Sequence, residues 1–207
     1  MSEQRSPEWF KERAGKFTGS RFVDVLARHK TTGKPLKCYH DLIWQLVVER
    51  MTGQPKDSVD GLALKWGRDV EPYAREAYEF ETGLIVIESD FITHPQYNFV
   101  GASPDGLVGT DGGLEMKCPK DSGIHLERFE SGMDEEEFMP QVMGCLWVTG
   151  RKWWDWVSYD PRMPEEFRLY RQRVMRDDEY IAKLEKAVLE AEELVKEKLS
   201  KLQRKAA

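Results

Sequence analysis

Apolar residues recur at helical spacing early in this chain, at strand spacing in its middle, and in alternating blocks after that. Ser6-Pro7-Glu8 reads as a helix start, with a serine cap and proline at the first helical position, and a turn follows at Gly15. Thr18-Gly19-Ser20 leads into a short helix over 22–29 with Phe22, Val25 and Leu26 on one face, and residues 30–37 read as a loop. Residues 39–52 place Leu42, Ile43, Leu46, Val47 and Met51 on a helix stopped by Gly53, and 54–60 form a polar connection. A further helix spans 61–81 through Leu64, Trp66, Val70, Ala74, Ala77 and Tyr78, ending at Gly83. Pro72 predicts a kink or restart near 69–71. The period then shortens: 84–92 and 98–102 read as strands, 103–106 as a turn, and 107–108 with 114–118 as a hairpin. Residues 134–149 form a helix with an acidic first turn, which suits its dipole, and with Phe138, Met139, Val142, Cys145 and Leu146 inward. Strands at 153–159 and 167–175 precede a helix capped by Asp177 and running to about 201. Its stripe is Tyr180, Leu184, Ala187, Val188, Ala191, Val195 and Leu199. This order predicts an α/β fold, a central sheet flanked on both sides by helices after an N-terminal helical region.

Composition narrows the class. Hydrophobic residues at 40%, charged at 33% and aromatic at 11% of 207 residues exclude disorder and disulfide-stapled scaffolds, and the length suits a single domain. Cys38, Cys118 and Cys145 are odd in number and form no CxxC pair, so they read as reduced thiols. No stretch approaches the roughly 18–20 apolar residues of a membrane span. The first residues, MSEQRSPEWFKER, hold no apolar leader core. A cytoplasmic location is the expectation. The net charge of −6 argues against a general nucleic-acid binder, but residues 1–38 alone carry +5 and the remainder −11. A basic end on an acidic body permits a phosphate site at one face.

The candidate chemistry lies in Ser103-Pro104-Asp105-Gly106 and Leu114-Glu115-Met116-Lys117-Cys118-Pro119. Side chains alternate along a strand, so Glu115 and Lys117 share one face and Met116 takes the other. The hairpin brings Asp105 to the Glu115 face. Two crowded carboxylates repel, and either one takes up a proton or a cation sits between them. Hard oxygen ligands suit magnesium or manganese, with the Met116 carbonyl as a further donor. Lys117 then sits where it can orient or deprotonate a water, next to a basic phosphate site, which is the layout of phosphodiester hydrolysis. The run Asp105, nine residues, Glu115, one residue, Lys117 matches the nuclease signature PD-(D/E)xK, including Pro104.

Further blocks occur in order: Trp9-Phe10-Lys11-Glu12-Arg13, Thr18-Gly19-Ser20, Trp66-Gly67-Arg68 with Glu71, Gln141-Val142, Leu146-Trp147-Val148-Thr149, and Tyr159-Asp160-Pro161-Arg162-Met163. On these motifs the chain resembles, over roughly residues 7–180, the phage lambda exonuclease family of YqaJ-type viral recombinases. The resemblance implies a restriction-endonuclease-like core, with 1–60 as an N-terminal end-binding part, 61–176 as the catalytic core and 177–207 as a C-terminal helix. It implies a magnesium-dependent 5′-to-3′ exonuclease, with manganese able to substitute and two ions per site. The substrate would be linear duplex DNA with 5′-phosphate ends, degraded to mononucleotides to leave 3′ single strands for recombination. Glu71, Asp105, Glu115 and the Met116 carbonyl would be metal ligands, Lys117 the catalytic lysine, and Gln141 an aid near the water or scissile phosphate. Arg13 and Ser20 would grip the 5′-phosphate, and Lys30 would add a basic contact. The resemblance also implies a homotrimeric ring, a phage single-strand annealing protein as partner, and a phage or prophage gene expressed in the bacterial cytoplasm. Pro72, directly after Glu71, departs from what an uninterrupted ligand helix calls for.

Other residues read plainly. Trp9 lies beside the basic cluster and can contact a terminal base. Trp147, Trp153, Trp154 and Trp156 are core aromatics. His29, His40, His94 and His125 lack ligand spacing, and nothing pairs Cys118 with a base. No GxxxxGK[ST] loop is present, so movement along DNA would not draw on ATP. Two alternatives stay open: a structure-selective or site-specific endonuclease with the same cluster, and a non-catalytic DNA-end-binding module.

Overall fold

Seven helices and seven strands form over the residues described by this computed structural model, 6–55 and 61–206. Most of the connection expected at 54–60 therefore lies outside the described residues. Helix α1 (Pro7–Arg13) starts where the Ser6 hydroxyl accepts the Trp9 amide at 3.1 Å. A single 3₁₀ turn (Gly19–Arg21) feeds α2 (Phe22–Leu26). That helix stops three residues short of the expected end. The following loop pairs with itself, Leu36 N–H to the Ala27 carbonyl and His29 N–H to the Lys34 carbonyl, and these bonds replace the helical ones. Helices α3 (Lys37–Thr52) and α4 (Leu62–Thr82) each end on a left-handed glycine, Gly53 and Gly83.

The restart expected near 69–71 does not occur: α4 runs unbroken through Pro72. Interior proline costs about 3 kcal/mol, and burial of Val70, Ala74 and Tyr78 against the sheet outweighs it. Glu71 thus stays on a continuous helix. The strand expected over 84–92 is two strands. Its polar middle (Glu88, Ser89, Asp90) separates β1 (Val86–Ile87) from β2 (Ile92–Thr93), and the two pair in different sheets. The small sheet joins β2 to β3 (Gly101–Ala102). The main sheet has the order β1-β4-β5-β6-β7, with β4 (Gly106–Val108), β5 (Gly112–Lys117), β6 (Trp153–Tyr159) and β7 (Leu169–Met175). Only β5 and β6 run parallel, and the chain between them crosses over through α5 (Ser122–Ser131) and α6 (Glu135–Thr149). The strand expected at 167–175 begins late because a 3₁₀ turn (Glu165–Phe167) precedes it. Helix α7 (Asp178–Ala206) closes the fold.

Helix α5 answers to no expected element. Asp121 caps it and Gly132 ends it, but its buried residue is His125 while Ile124 and Leu126 face solvent, so no apolar stripe announces it.

Alternation on β5 and β6 sorts the core. Leu114, Met116, Val157 and Tyr159 pack with the α4 residues Val70, Ala74 and Tyr78. Trp154 and Trp156 face the opposite way, in the core shared with α2, α3, α6 and α7. Gly113 is required there, because a Cβ on it would lie 2.2 Å from the Trp154 ring. Consequently Glu115 and Lys117 point toward α6 at the carboxyl end of β5. Clefts in parallel α/β sheets form at such strand ends.

Candidate active site

The end of β5 holds a tight polar cluster. Lys117 Nζ donates to Glu115 Oε1 at 2.6 Å and to Gln141 Oε1 at 3.2 Å, and Gln141 Nε2 donates to the same Glu115 oxygen at 2.6 Å. Gln141 reaches down from α6. Asp105, just before β4, accepts the Met116 N–H through Oδ2 at 2.6 Å. Asp105, Glu115, Met116 and Lys117 line one cavity of about 730 Å³, and Glu71 of α4 lines it too. Five sequence candidates therefore meet at one place, as does Met116.

Electrostatics mark the spot. Burial pushes the Asp105 carboxyl well above its ordinary range, and the charges of Glu115 and Glu71 push it further. Burial works to lower the Lys117 ammonium, but the combined attraction of Glu115 and Asp105 prevails and holds it above its usual value. Burial drives the neighbouring thiols up, Cys118 to about 12 and Cys145 well above its normal range, which leaves both unreactive.

The other oxygen of Glu115 has no partner. Among the described residues the buried side-chain polar atoms without a hydrogen bond are four nitrogens (on Trp9, Arg75, Trp154 and Trp156) and Glu115 Oε2. It is the single oxygen of the set, on a residue only 3% exposed. A buried carboxylate oxygen left bare is costly, and a cation removes that cost. No group of three or more His, Cys, Asp or Glu among the described residues would hold a metal by itself. Magnesium does not need one: it binds through one or two carboxylates and keeps waters and substrate phosphates for the rest. Asp105, Glu115 and Glu71 bring carboxylates, hard oxygen donors, to this cavity, and any one or two of them suit such an ion.

A second cavity, about 180 Å³, lies next door, and Trp9 and Phe10 line both. Its wall also carries Arg13, Thr18, Ser20 and Arg21. The Arg13 guanidinium stacks 4.1 Å from the Trp9 centroid and donates to Ser103 Oγ at 2.6 Å. Burial, then repulsion from Arg21, lowers its pKa to about 10. Arg21 is fixed in turn by a two-pronged pair with Glu49, at 2.6 and 2.9 Å. Glu49 balances Arg21, while the Arg13 guanidinium hydrogen-bonds only a hydroxyl among the described residues, so the pocket keeps a positive charge that favours an anion. Gly19, between Thr18 and Ser20, lies against the polar cluster, since a Cβ there would be 3.4 Å from Gln141 Cγ.

Lys30 stands apart. It pairs with Glu136 at 2.8 Å, both groups are exposed, and it lines neither cavity. Trp9 is buried rather than presented as an open stacking platform. Ser103 was legible only as a turn residue, yet it orients Arg13. Arg68 and Arg128 also line the larger cavity. Arg68 belongs to a quoted motif, whereas Arg128 sits on the unexpected α5, for which the Asp121 cap and the Gly132 stop were the only signals.

A family model described as the YqaJ-like viral recombinase domain matches residues 8–152. The chain is 36% identical to an alkaline exonuclease (LHK-Exo) from Laribacter hongkongensis, covering 97% of this chain and 98% of that one with a TM-score of 0.88. The structure of LHK-Exo in complex with dAMP is similar at 37% identity and the same TM-score. A phage related exonuclease from Haemophilus somnus 129PT shares the fold at 16% identity and a TM-score of 0.74, over 90% of this chain and 96% of that one. No curated protein sequence matches.

Proposed function

Because the chain belongs to the YqaJ-like viral recombinase family, we propose that it is a DNA exonuclease that degrades one strand of linear duplex from its 5′ end, with magnesium as cofactor. Manganese would substitute, and two ions would serve each site. The product would be mononucleotides and a 3′ single strand, handed to a phage single-strand annealing protein in the host cytoplasm. Residues up to 60 would serve end binding, 61–176 catalysis, and the C-terminal helix packing or assembly. Three copies would form a ring around the duplex, which would keep hold of the substrate without ATP.

The observation that carries this reading is the bare Glu115 oxygen beside Asp105, Lys117 and Gln141, one aromatic wall away from the Arg13 pocket. The 5′-phosphate would enter the small pocket, where Arg13 and Ser20 meet it. Trp9 and Phe10 would then set the distance from that phosphate to the bond being cut. A divalent ion held by Asp105, Glu115, the Met116 carbonyl and Glu71 would supply Lewis acidity at the phosphate oxygens and acidify a water. Lys117, kept as an ammonium by Glu115 and Asp105, would orient that water or the scissile phosphate as a hydrogen-bond donor, and Gln141 would keep Lys117 and Glu115 aligned. His125, Cys118 and Cys145 take no part.

Digestion of linear duplex labelled at either end tests this, with magnesium or with a chelator, alongside a covalently closed circle. Release of the 5′ label first, only with magnesium and only from the linear form, supports the proposal. Cleavage of the circle would replace it with an endonuclease, and no digestion of any form would favour a DNA-end-binding module.

A further inference from the structure

Helix α5 carries a cation that this chemistry has not used. Arg128 lines the catalytic cavity together with Lys117 and Cys118. Its guanidinium rests 5.1 Å from the Phe138 centroid and 5.5 Å from that of Trp156. Lys117 Nζ lies 5.2 Å from the same Phe138 ring, so two cations flank one aromatic. Glu137 and Asp134 attract Arg128 from beyond ion-pair reach, and among the described residues its side chain makes no hydrogen bond or ion pair. The other cations on the wall are engaged: Lys117 by Glu115, and Arg68 by a partner of its own. Arg128 is thus a partly buried arginine with carboxylates nearby but none in contact. With no hydrogen bond or ion pair among the described residues, the guanidinium's N–H fork stays available, and such a fork takes a phosphate with two bonds.

The helix beneath it is held firmly. His125 bonds Ser158 Oγ through Nδ1 at 2.9 Å and the Phe167 carbonyl through Nε2 at 2.7 Å. Ser122 Oγ donates to Asp160 at 2.7 Å, and the Arg128 carbonyl accepts Gly132 N–H at 2.9 Å. A floppy surface arginine would find a carboxylate; this one is fixed where the cavity is, and the cavity holds the proposed nuclease centre.

We infer that Arg128 forms a second phosphate subsite in the catalytic cavity, gripping a backbone phosphate of the strand being cut, distinct from the 5′-terminal phosphate at Arg13. The inference rests on the nuclease reading of this site. Its rival is a strut that merely props α5 on Phe138 and Trp156.

The test is steady-state digestion of end-labelled linear duplex by the full chain, wild type and Arg128→Ala, over a range of potassium chloride. A parallel set of duplexes carries one uncharged methylphosphonate at each of the first few linkages. Arg128→Ala should raise KM about 10- to 100-fold, as expected for losing a charge-assisted bond. The slope of log KM against log salt should fall by about one. One methylphosphonate position should slow the wild type yet add nothing to the defect of Arg128→Ala. A wild-type KM and slope in the variant, or a defect equal at every methylphosphonate position, would overturn the subsite in favour of the strut. If Arg128→Ala does not fold, Arg128→Gln keeps the stem without the charge and takes the same comparison. A wild type that digests nothing sinks the nuclease reading; a digesting wild type with an indifferent variant sinks the subsite alone.

Discussion

Asp155 and Glu115 are buried acids on adjacent parallel strands, and their surroundings differ in one respect. Asp155 is saturated. Its Oδ2 accepts the Tyr78 hydroxyl at 2.7 Å and Arg173 at 2.8 Å, its Oδ1 accepts Arg173 at 2.8 Å, and Arg171 stands 3.5 Å away. Burial and the Asp155 charge push the Tyr78 hydroxyl far above its normal range, so it stays a donor. Glu115 has one oxygen crowded by Lys117 and Gln141 and the other bare. Asp155 faces α4, away from the cleft, while Glu115 lines it. The saturated acid knits β6, β7 and α4 together. The unsaturated one is destabilising as it stands, and proteins keep such strain where chemistry uses it.

Breaking each acid's partners should therefore have opposite consequences. The largest effect falls on activity: Lys117→Ala should cut kcat by about 10²–10⁴-fold, measured by single-turnover digestion, while gel-shift binding to duplex ends persists. Next, Asp155→Ala should destabilise the fold by about 3–5 kcal/mol, because it strands two arginines and a tyrosine; urea unfolding measures it. Arg13→Ala should lower the preference for 5′-phosphorylated over 5′-hydroxyl ends by about 10- to 100-fold, read by competition between the two duplexes, with kcat on hydroxyl ends little changed. The smallest effect is Asp160→Asn. Burial alone would raise the Asp160 carboxyl, but bonds from Arg162 and Ser122 hold it down to about 2. Its stabilisation, about 2 kcal/mol, is complete above about pH 4, the unfolded value, and is lost as pH falls toward 2. The variant should unfold earlier at pH 7 and show a flatter stability curve between pH 4 and 2.

The sequence reading reached the cluster because strand alternation alone puts Glu115 and Lys117 on one face, and because a turn of Pro104-Asp105-Gly106 delivers a carboxylate to it. It also gave the span of β6, because Trp153–Tyr159 is a short run rich in aromatic residues, buried on both faces. It failed where tertiary contacts override local pattern. Pro72 promised a break that packing of Val70, Ala74 and Tyr78 suppresses. The run at 84–92 changes sheets in mid-course. Helix α5 is fixed by His125, Ser122 and its caps rather than by an apolar stripe, so Arg128 was out of sight. Satisfaction itself is not written in sequence: nothing in Trp-Asp-Trp or Leu-Glu-Met says which acid will find its hydrogen bonds.

The central claim is that the bare carboxylate at the end of β5 is a place for a divalent cation. Calorimetric titration of manganese into the wild type and into Asp105→Asn tests it most directly. The account predicts saturable binding to the wild type and its loss in a variant that keeps or raises the wild-type Tm, since Asp105 is driven toward its neutral form already. Equal binding in both proteins, or none in the wild type, would contradict it.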